Sequence, residues 1–373
     1  MSTHEQPNQY NDVLFGGGSI AQLSAGLAKA LPDHHVTRVI TVSDSGGATG
    51  PLARKFQTLP TGDLRKTISE GADSPAVRFI NEQRFGPEDT TDTVLERASQ
   101  LYEALDDSNP HLDTDRVGKV LEDTVALSRE LKNLKGLAIG HLLLTNLALN
   151  HDNDMGRAVD EMADWMMVKG RILPATLERH DLVMADGLDI IRGEEAIDTH
   201  FIKNRGNVRM WLHAADPARP AVPVNPQVRD AIAQADGIAI GPGSHYTSLI
   251  PALLPAGTPE ALKDSWITYV GNLQNNKHDT WGWTGTDHIQ GIESYLGRPI
   301  DAVIYDNSSR EQLGESGVVF DEHELIMRGY QTAVRPLLLH SRGGQAHDAL
   351  AAHRSNVMHN PSMVADAYTQ VAA

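Results

Sequence analysis

Residues 12–19 read Asp12-Val13-Leu14-Phe15-Gly16-Gly17-Gly18-Ser19, and the following residues set Ile20, Leu23, Leu27 and Leu31 at spacings of three and four. An apolar run that breaks into glycine and then into a helical period predicts strand, turn and helix. Pro32 ends the helix, and Val36 to Val42 (V-T-R-V-I-T-V) is rich enough in β-branched residues to be a second strand. Strand, glycine turn, helix, strand is the opening of a parallel α/β sheet.

Further along, 74–150 has helical patterning, with Ser74-Pro75 as a cap followed by proline at the first helical position. Another amphipathic helix is expected over 158–168. A hairpin is expected from 182–185 and 188–191 around Asp186-Gly187. Asn225-Pro226 and Thr258-Pro259 mark two helix starts. Between them comes a strand at 238–240, then Gly241-Pro242-Gly243-Ser244, then a helix. Strands at 266–270 and 302–305 flank a helix at 287–296, and a last helix is expected over 345–358. There is no internal repeat and no low-complexity linker. The expectation is a single α/β domain over 1–373, with a helical insertion at about 74–168 and a C-terminal extension from about 306.

Thirty-two Lys and Arg against 49 Asp and Glu leave the 373-residue chain at −17, with 40% hydrophobic residues. Such a chain is globular, and its charge argues against general nucleic-acid binding. An anion would be held largely by backbone N–H groups. Residues 88–123 carry eleven Asp or Glu and three Lys or Arg, read as solvated helix faces. The absence of cysteine removes disulfides, thiol catalysis, Cys-zinc sites and iron–sulfur clusters. The 17 histidines include no H-E-x-x-H, so no zinc is assigned, and no haem motif is present. His141, His245 and His288 read as packed or hydrogen-bonded histidines before they read as bases. The first seven residues are polar. The longest apolar run, 137–149, is interrupted by Gly140, His141, Thr145 and Asn146 and is too short to span a bilayer. A cytoplasmic setting without membrane contact is expected.

Three loops could carry chemistry. Gly16-Gly17-Gly18-Ser19 and Gly241-Pro242-Gly243-Ser244-His245-Tyr246-Thr247-Ser248 each stand between a strand and a helix, where first-turn amides and the helix dipole favour an anion. The hydroxyls of Ser244, Thr247 and Ser248 add donors. Two such turns at strand ends suit a diphosphate in one cleft. A tight turn or a capped helix start without ligand is the plain alternative for each. Between them in sequence, Ser43-Asp44-Ser45-Gly46-Gly47-Ala48-Thr49-Gly50 follows the second strand, and Thr61-Gly62-Asp63-Leu64-Arg65 follows it in turn. Asp44 could hold a ribose hydroxyl or Mg²⁺, with Asp63 and Arg65 joining it; a helix cap is as good a role for Asp63. The spacing Gly16-x-Gly18-x-x-Ala21 with Asp44 also fits a nicotinamide dehydrogenase loosely, but it leaves the other loops unexplained. Trp281-Gly282-Trp283 could stack on a base, close a lid or sit at a subunit contact.

These loops, with Lys169-Gly170-Arg171-Ile172-Leu173-Pro174-Ala175-Thr176-Leu177-Glu178, Asn272-Leu273 and Thr286-Asp287-His288, come in an order that resembles the gluconeogenesis-factor and 2-phospho-L-lactate transferase (CofD-like) superfamily over about 12–305. The resemblance implies a three-layer Rossmann-like α/β fold and a homo-oligomer. One branch of that family is a Mg²⁺-dependent transferase that moves 2-phospholactate from a nucleotide-diphosphate donor onto a deazaflavin. The other binds nucleotide sugars and regulates carbon metabolism and cell-wall growth; the Leu173-Pro174-Ala175-Thr176 and Gly241-to-Ser248 stretches look closer to it. The implied ligand residues are Gly16, Gly17, Gly18, Ser19, Gly46, Gly47, Thr49, Gly50, Arg65, Asn146, Arg171, Gly241, Gly243, Ser244, Thr247, Ser248 and Asn272. Asp44 and Asp63 are the catalytic candidates, and Asp44 is the metal candidate. The sequence departs from the family at Ser45, where a second acid is usual, at Ser19-Ile20 in place of Thr-Gly, and at Lys66 in place of Asn. Losing the second acid weakens a Mg²⁺ site. The expected function is binding of a nucleotide diphosphate resembling a nucleotide sugar; the alternative is a Mg²⁺-dependent transferase acting on such a donor.

Overall fold

The computed structural model describes residues 10–203, 207–340 and 357–371. Short apolar strands build the central layer: β1 (Tyr10–Gly16), β2 (His34–Ile40), β3 (Arg171–Pro174), β7 (Gly237–Ile240), β8 (Ile267–Val270), β9 (Ala302–Tyr305) and β10 (Gln331–Val334). Their order is β10-β9-β8-β7-β1-β2-β3, and every pairing is parallel. Period-2 alternation sends Leu14, Ile40 and Ile304 to one face and Val13, Phe15, Val39 and Tyr269 to the other. Both faces are covered, as an all-parallel sheet requires.

On the first face lie α1 (Ile20–Ala30), α2 (Thr49–Phe56), α3 (Gly62–Gly71) and a helical group: α4 (Pro75–Glu82), α5 (Thr91–Ser108), α6 (Thr114–Ser128), α7 (Ile139–Asn150) and α8 (Met155–Trp165). The interrupted apolar run of 137–149 is α7. It is buried nearly all round, which explains why it carries no polar stripe. On the second face are α10 (Pro226–Ala233), α11 (Ile250–Leu253), α12 (Thr258–Ala261) and α13 (Gly285–Leu296), together with a three-stranded antiparallel sheet. That sheet, ordered β5-β4-β6, comprises β4 (His180–Asp186), β5 (Asp189–Arg192) and β6 (Val208–Ala214). The short helix α9 (Glu194–Thr199) follows β5. The architecture is the expected α/β arrangement of three layers.

The expected hairpin turns at Gly187, whose φ is +65°. Ser74 and Asn225 accept from the amides of Val77 and Gln227, as the cap reading requires. Thr258 does not cap: Gly257, at φ +94°, precedes the helix, and Thr258 lies inside it. Most of the helix expected over 345–358 falls outside the described residues. Its last two positions, Val357 and Met358, belong to strand β12 (Val357–His359), which pairs with β11 (Leu338–His340). The sequence reading missed the C-terminal helix Pro361–Val371. It packs on α1 and is held by Trp266 Nε1 donating to Val371 O at 2.9 Å and by the Tyr368 hydroxyl donating to Asp12 at 2.8 Å.

Candidate functional site

The chain runs β1, β2, β3 in one direction across the sheet, then crosses to β7 and continues the other way. The direction reverses between β1 and β7, and ligands of open α/β sheets bind at such a switch point beyond the carboxyl ends of the strands. The turns Gly16–Ser19 and Gly241–Ser248 leave those two strand ends side by side. The Ser19 hydroxyl donates to Pro242 O at 3.0 Å. A Cβ built on Gly243 would stand 2.7 Å from Ser19 Oγ. Gly241 has φ +86°, open only to glycine at low cost. Asn272 clamps the second turn from both sides. Its Oδ1 accepts from Gly243 N at 3.0 Å, and its Nδ2 donates to Gly243 O at 2.8 Å. Thr247 Oγ1 donates to Ser244 Oγ at 2.7 Å.

The first turn faces a carboxylate of the chain itself. A Cβ on Gly17 would lie 2.8 Å from Asp63 Oδ2 and 2.7 Å from Ser248 Oγ; one on Gly18 would lie 2.5 Å from Asp63 Oδ1. The two glycines therefore admit Asp63, which stands between the switch-point turns and a neighbouring cavity.

That cavity, of about 570 Å³, is enclosed by the loop after β2, the start of α3, and residues 130–141 leading into α7. From the expected residues its wall contains Asp44, Gly46, Gly47, Thr49, Asp63 and Arg65. Lys55, Arg84, Lys132 and Lys135, which the sequence did not point to, line it too, as do Lys66, read only as a departure from the family, and His141, read as a packed histidine. With Arg65, these lysines and Arg84 give the wall six permanently cationic side chains against Asp44, Asp63 and Glu130, in a chain of −17 overall. One signal was present in the sequence: Lys132-Asn133-Leu134-Lys135-Gly136 is a basic break just after the acidic stretch.

Asp44 is held by its own loop, accepting from Gly46 N at 3.1 Å and from Thr49 Oγ1 at 2.9 Å. The loop is fastened from the second face. Ser43 Oγ bonds His180 Nε2 at 2.8 Å, and the other ring nitrogen, Nδ1, lies 2.9 Å from Glu178 O, so Nδ1–H donates there and Nε2 accepts from the serine. Ser45 Oγ accepts from Glu194 N at 2.8 Å. This seats α9 against the glycine loop, with Glu194 Oε2 3.3 Å from where a Gly46 Cβ would stand. Burial first, then Asp44, Asp198, Asp63 and Glu195, push the Glu194 carboxyl up to about 9. Glu194 was not legible at the sequence level, because it comes from an antiparallel unit 149 residues away.

The other expected residues are placed elsewhere. Gly50 packs against the Ser45 carbonyl. Asn146 donates to Val120 O at 3.0 Å and Thr124 Oγ1 at 3.2 Å, between helices α6 and α7. Arg171 opens β3, level with Thr37, and its charge acts on Asp160 of α8, at the opposite end of the strand from the carboxyl ends. Trp283 is buried edge-on to His245 and His288, with ring centroids at 4.9 and 5.1 Å. Among the described residues no three His, Asp or Glu side chains gather as a metal-binding group, and no helix is long and apolar enough to cross a membrane.

The family described as 2-phospho-L-lactate transferase CofD matches residues 13–338. A gluconeogenesis factor of Halalkalibacterium halodurans is 28% identical over 341 residues, covering 86% of this chain and 88% of that protein. That of Bacillus subtilis is 26% identical, covering 90% and 93%. A Deinococcus radiodurans relative is 29% identical, but the match spans 80% of this chain and only 54% of the longer protein. A crystal structure of a Bacillus halodurans protein superimposes with a TM-score of 0.71 at 25% identity, covering 97% of this chain and 99% of its own.

Proposed function

The chain belongs to the 2-phospho-L-lactate transferase CofD family, and from that premise we propose that it binds a nucleotide diphosphate, of the nucleotide-sugar kind, as a cytoplasmic protein of the gluconeogenesis-factor type. The observation that carries this reading is the cavity wall. An acidic chain concentrates Arg65, Lys66, Arg84, Lys132, Lys135 and Lys55 around one 570 Å³ space beside the switch point. Cations gathered against the net charge of a protein mark an anionic guest. The volume suits a small-molecule site. Arginine takes phosphate oxygens in pairs, while lysine supplies point charge.

Isothermal calorimetry against a panel of nucleotide sugars and nucleotides tests the reading. At least one is expected to bind, and Lys66→Ala is expected to weaken it about tenfold or more, the loss of one charge-assisted contact. Failure of every member of the panel to bind would remove the proposal.

A second reading draws on the two carboxylates, Asp44 and Asp63, in the same wall. Mg²⁺ is commonly held by one or two carboxylates together with substrate phosphates. Asp44 and Asp63, both in the cavity wall, would be the protein's share of such a site. When bound, the ion would neutralise charge on a diphosphate donor. In a phospho-transferase of this kind, Asp44 and Asp63 would orient an acceptor hydroxyl and the cationic wall would hold the donor. This reading predicts turnover that is abolished by EDTA and falls at least a hundredfold in Asp44→Asn. Turnover retained by that variant would exclude the role.

A further inference from the structure

His141 opens α7 with its two ring nitrogens in different circumstances. Nδ1 accepts from the Ala138 amide at 2.8 Å, so the proton of the neutral ring sits on Nε2. The side chain is fully buried, and Nε2 has no hydrogen-bond partner among the described residues. Yet His141 is a residue of the cavity wall, in company with Arg65 and Arg84. Burial foremost, and then those two guanidiniums, hold the imidazole well below its ordinary range. It is therefore neutral at physiological pH. A buried N–H without an acceptor is rare in native structures, and where one lines a cavity the missing acceptor is sought in the cavity.

We propose that His141 is a ligand-binding residue whose Nε2–H donates to an oxygen of a phosphoryl group seated beside Arg65 and Arg84. This rests on the reading of the cavity as the site of a phosphorylated guest. The chemistry of the corner selects the class. Arg84 already donates to Gly136 O at 2.6 Å, so the guanidiniums supply positive charge to the corner and the neutral N–H supplies the unanswered donor, a combination that suits a group with anionic oxygens. A metal ion is disfavoured at this atom, because Nε2 carries a proton and has no lone pair to offer. A neutral donor among cations also adds a directed bond without adding charge repulsion.

The probe is inorganic pyrophosphate, added to the full chain labelled with ¹⁵N in histidine. The expected result is a shift of the Nε2 resonance assigned to His141, with the ring remaining in its neutral Nε2–H form. By calorimetry, His141→Ala is expected to bind pyrophosphate about ten- to a hundredfold more weakly, the loss of a hydrogen bond to a charged group. His141→Gln, which keeps an N–H, is expected to recover part of that loss. A role confined to packing would change stability in both variants but leave the wild-type ring signal unmoved by pyrophosphate. An unmoved signal, or wild-type affinity in His141→Ala, overturns the inference. If nucleotide sugars bind the wild type while the His141 signal stays fixed, this inference alone falls. If neither pyrophosphate nor any nucleotide binds, the reading beneath it falls as well.

Discussion

At Gly17 and Gly18, sequence alone says that something must approach the backbone closely. The structure identifies one such neighbour as the Asp63 carboxylate, 46 and 45 positions further on, with Ser248 Oγ alongside. Glycine pattern was thus legible while its cause was not, because a contact between distant positions leaves no local trace. The loop after β2 makes the same point in a testable way. Gly47 has φ +53° and open space around its missing side chain, whereas a Cβ on Gly50 would collide with the Ser45 carbonyl. A left-handed alanine costs about 1–2 kcal/mol. A clash with backbone cannot be relieved by a rotamer change and is expected to cost about 2–4 kcal/mol. Urea denaturation should therefore rank Gly50→Ala as the more damaging substitution. The reverse ranking would mean that the loop is not packed as described.

Among the elements, those announced by local chemistry were readable. The strands β1, β2, β7 and β9 are apolar runs ending in glycine or turn residues, and α4 and α10 begin at Ser-Pro and Asn-Pro. The C-terminal helix carries the same Asn360-Pro361 signal, with Asn360 Oδ1 accepting from Ser362 N at 3.1 Å, and could have been read by that rule. Helix α9 could not: its six residues are too few for a periodic stripe, and tertiary contact maintains it. Ser45 is central to that contact. Ser45 caps the α9 amide of Glu194, which carries a carboxylate to the same loop. Ser45→Ala is expected to cost about 1 kcal/mol, the ordinary value of a lost cap. It is also expected to release Glu194, seen as faster amide exchange in 194–199. Unchanged exchange would detach α9 from the loop.

Over the whole molecule, ionisable groups buried for packing or for the site oppose one another as pH changes. His288 is buried in the second-face core, where Nε2–H donates to Asn275 Oδ1 at 2.9 Å, and burial lowers its pKa to about 4. His245 beside it is also held well below its ordinary range, by burial and then by His288. Both remain neutral when folded but take a proton near pH 6.5 when unfolded. Below that pH the unfolded chain binds more protons, so their contribution is intact above about 6.5 and is lost as pH falls below it, for His288 towards about 4. Glu194, raised to about 9, and Asp279, raised by burial first to about 7, run in the other direction. They favour the folded chain at low pH and lose that contribution as pH rises, Asp279 through about 7 and Glu194 through about 9. A bare stability–pH curve would mix these slopes, so the decisive measurement is a difference. His288→Gln keeps a donor for Asn275 and cannot titrate. Its stability relative to the wild type, from urea denaturation between pH 7.5 and 4, is expected to improve by about 3 kcal/mol on acidification, the linkage of one fully buried histidine. A difference that stays flat across that interval would show that His288 can take up a proton in the folded core without penalty, and that the second-face layer is less dry than its packing indicates.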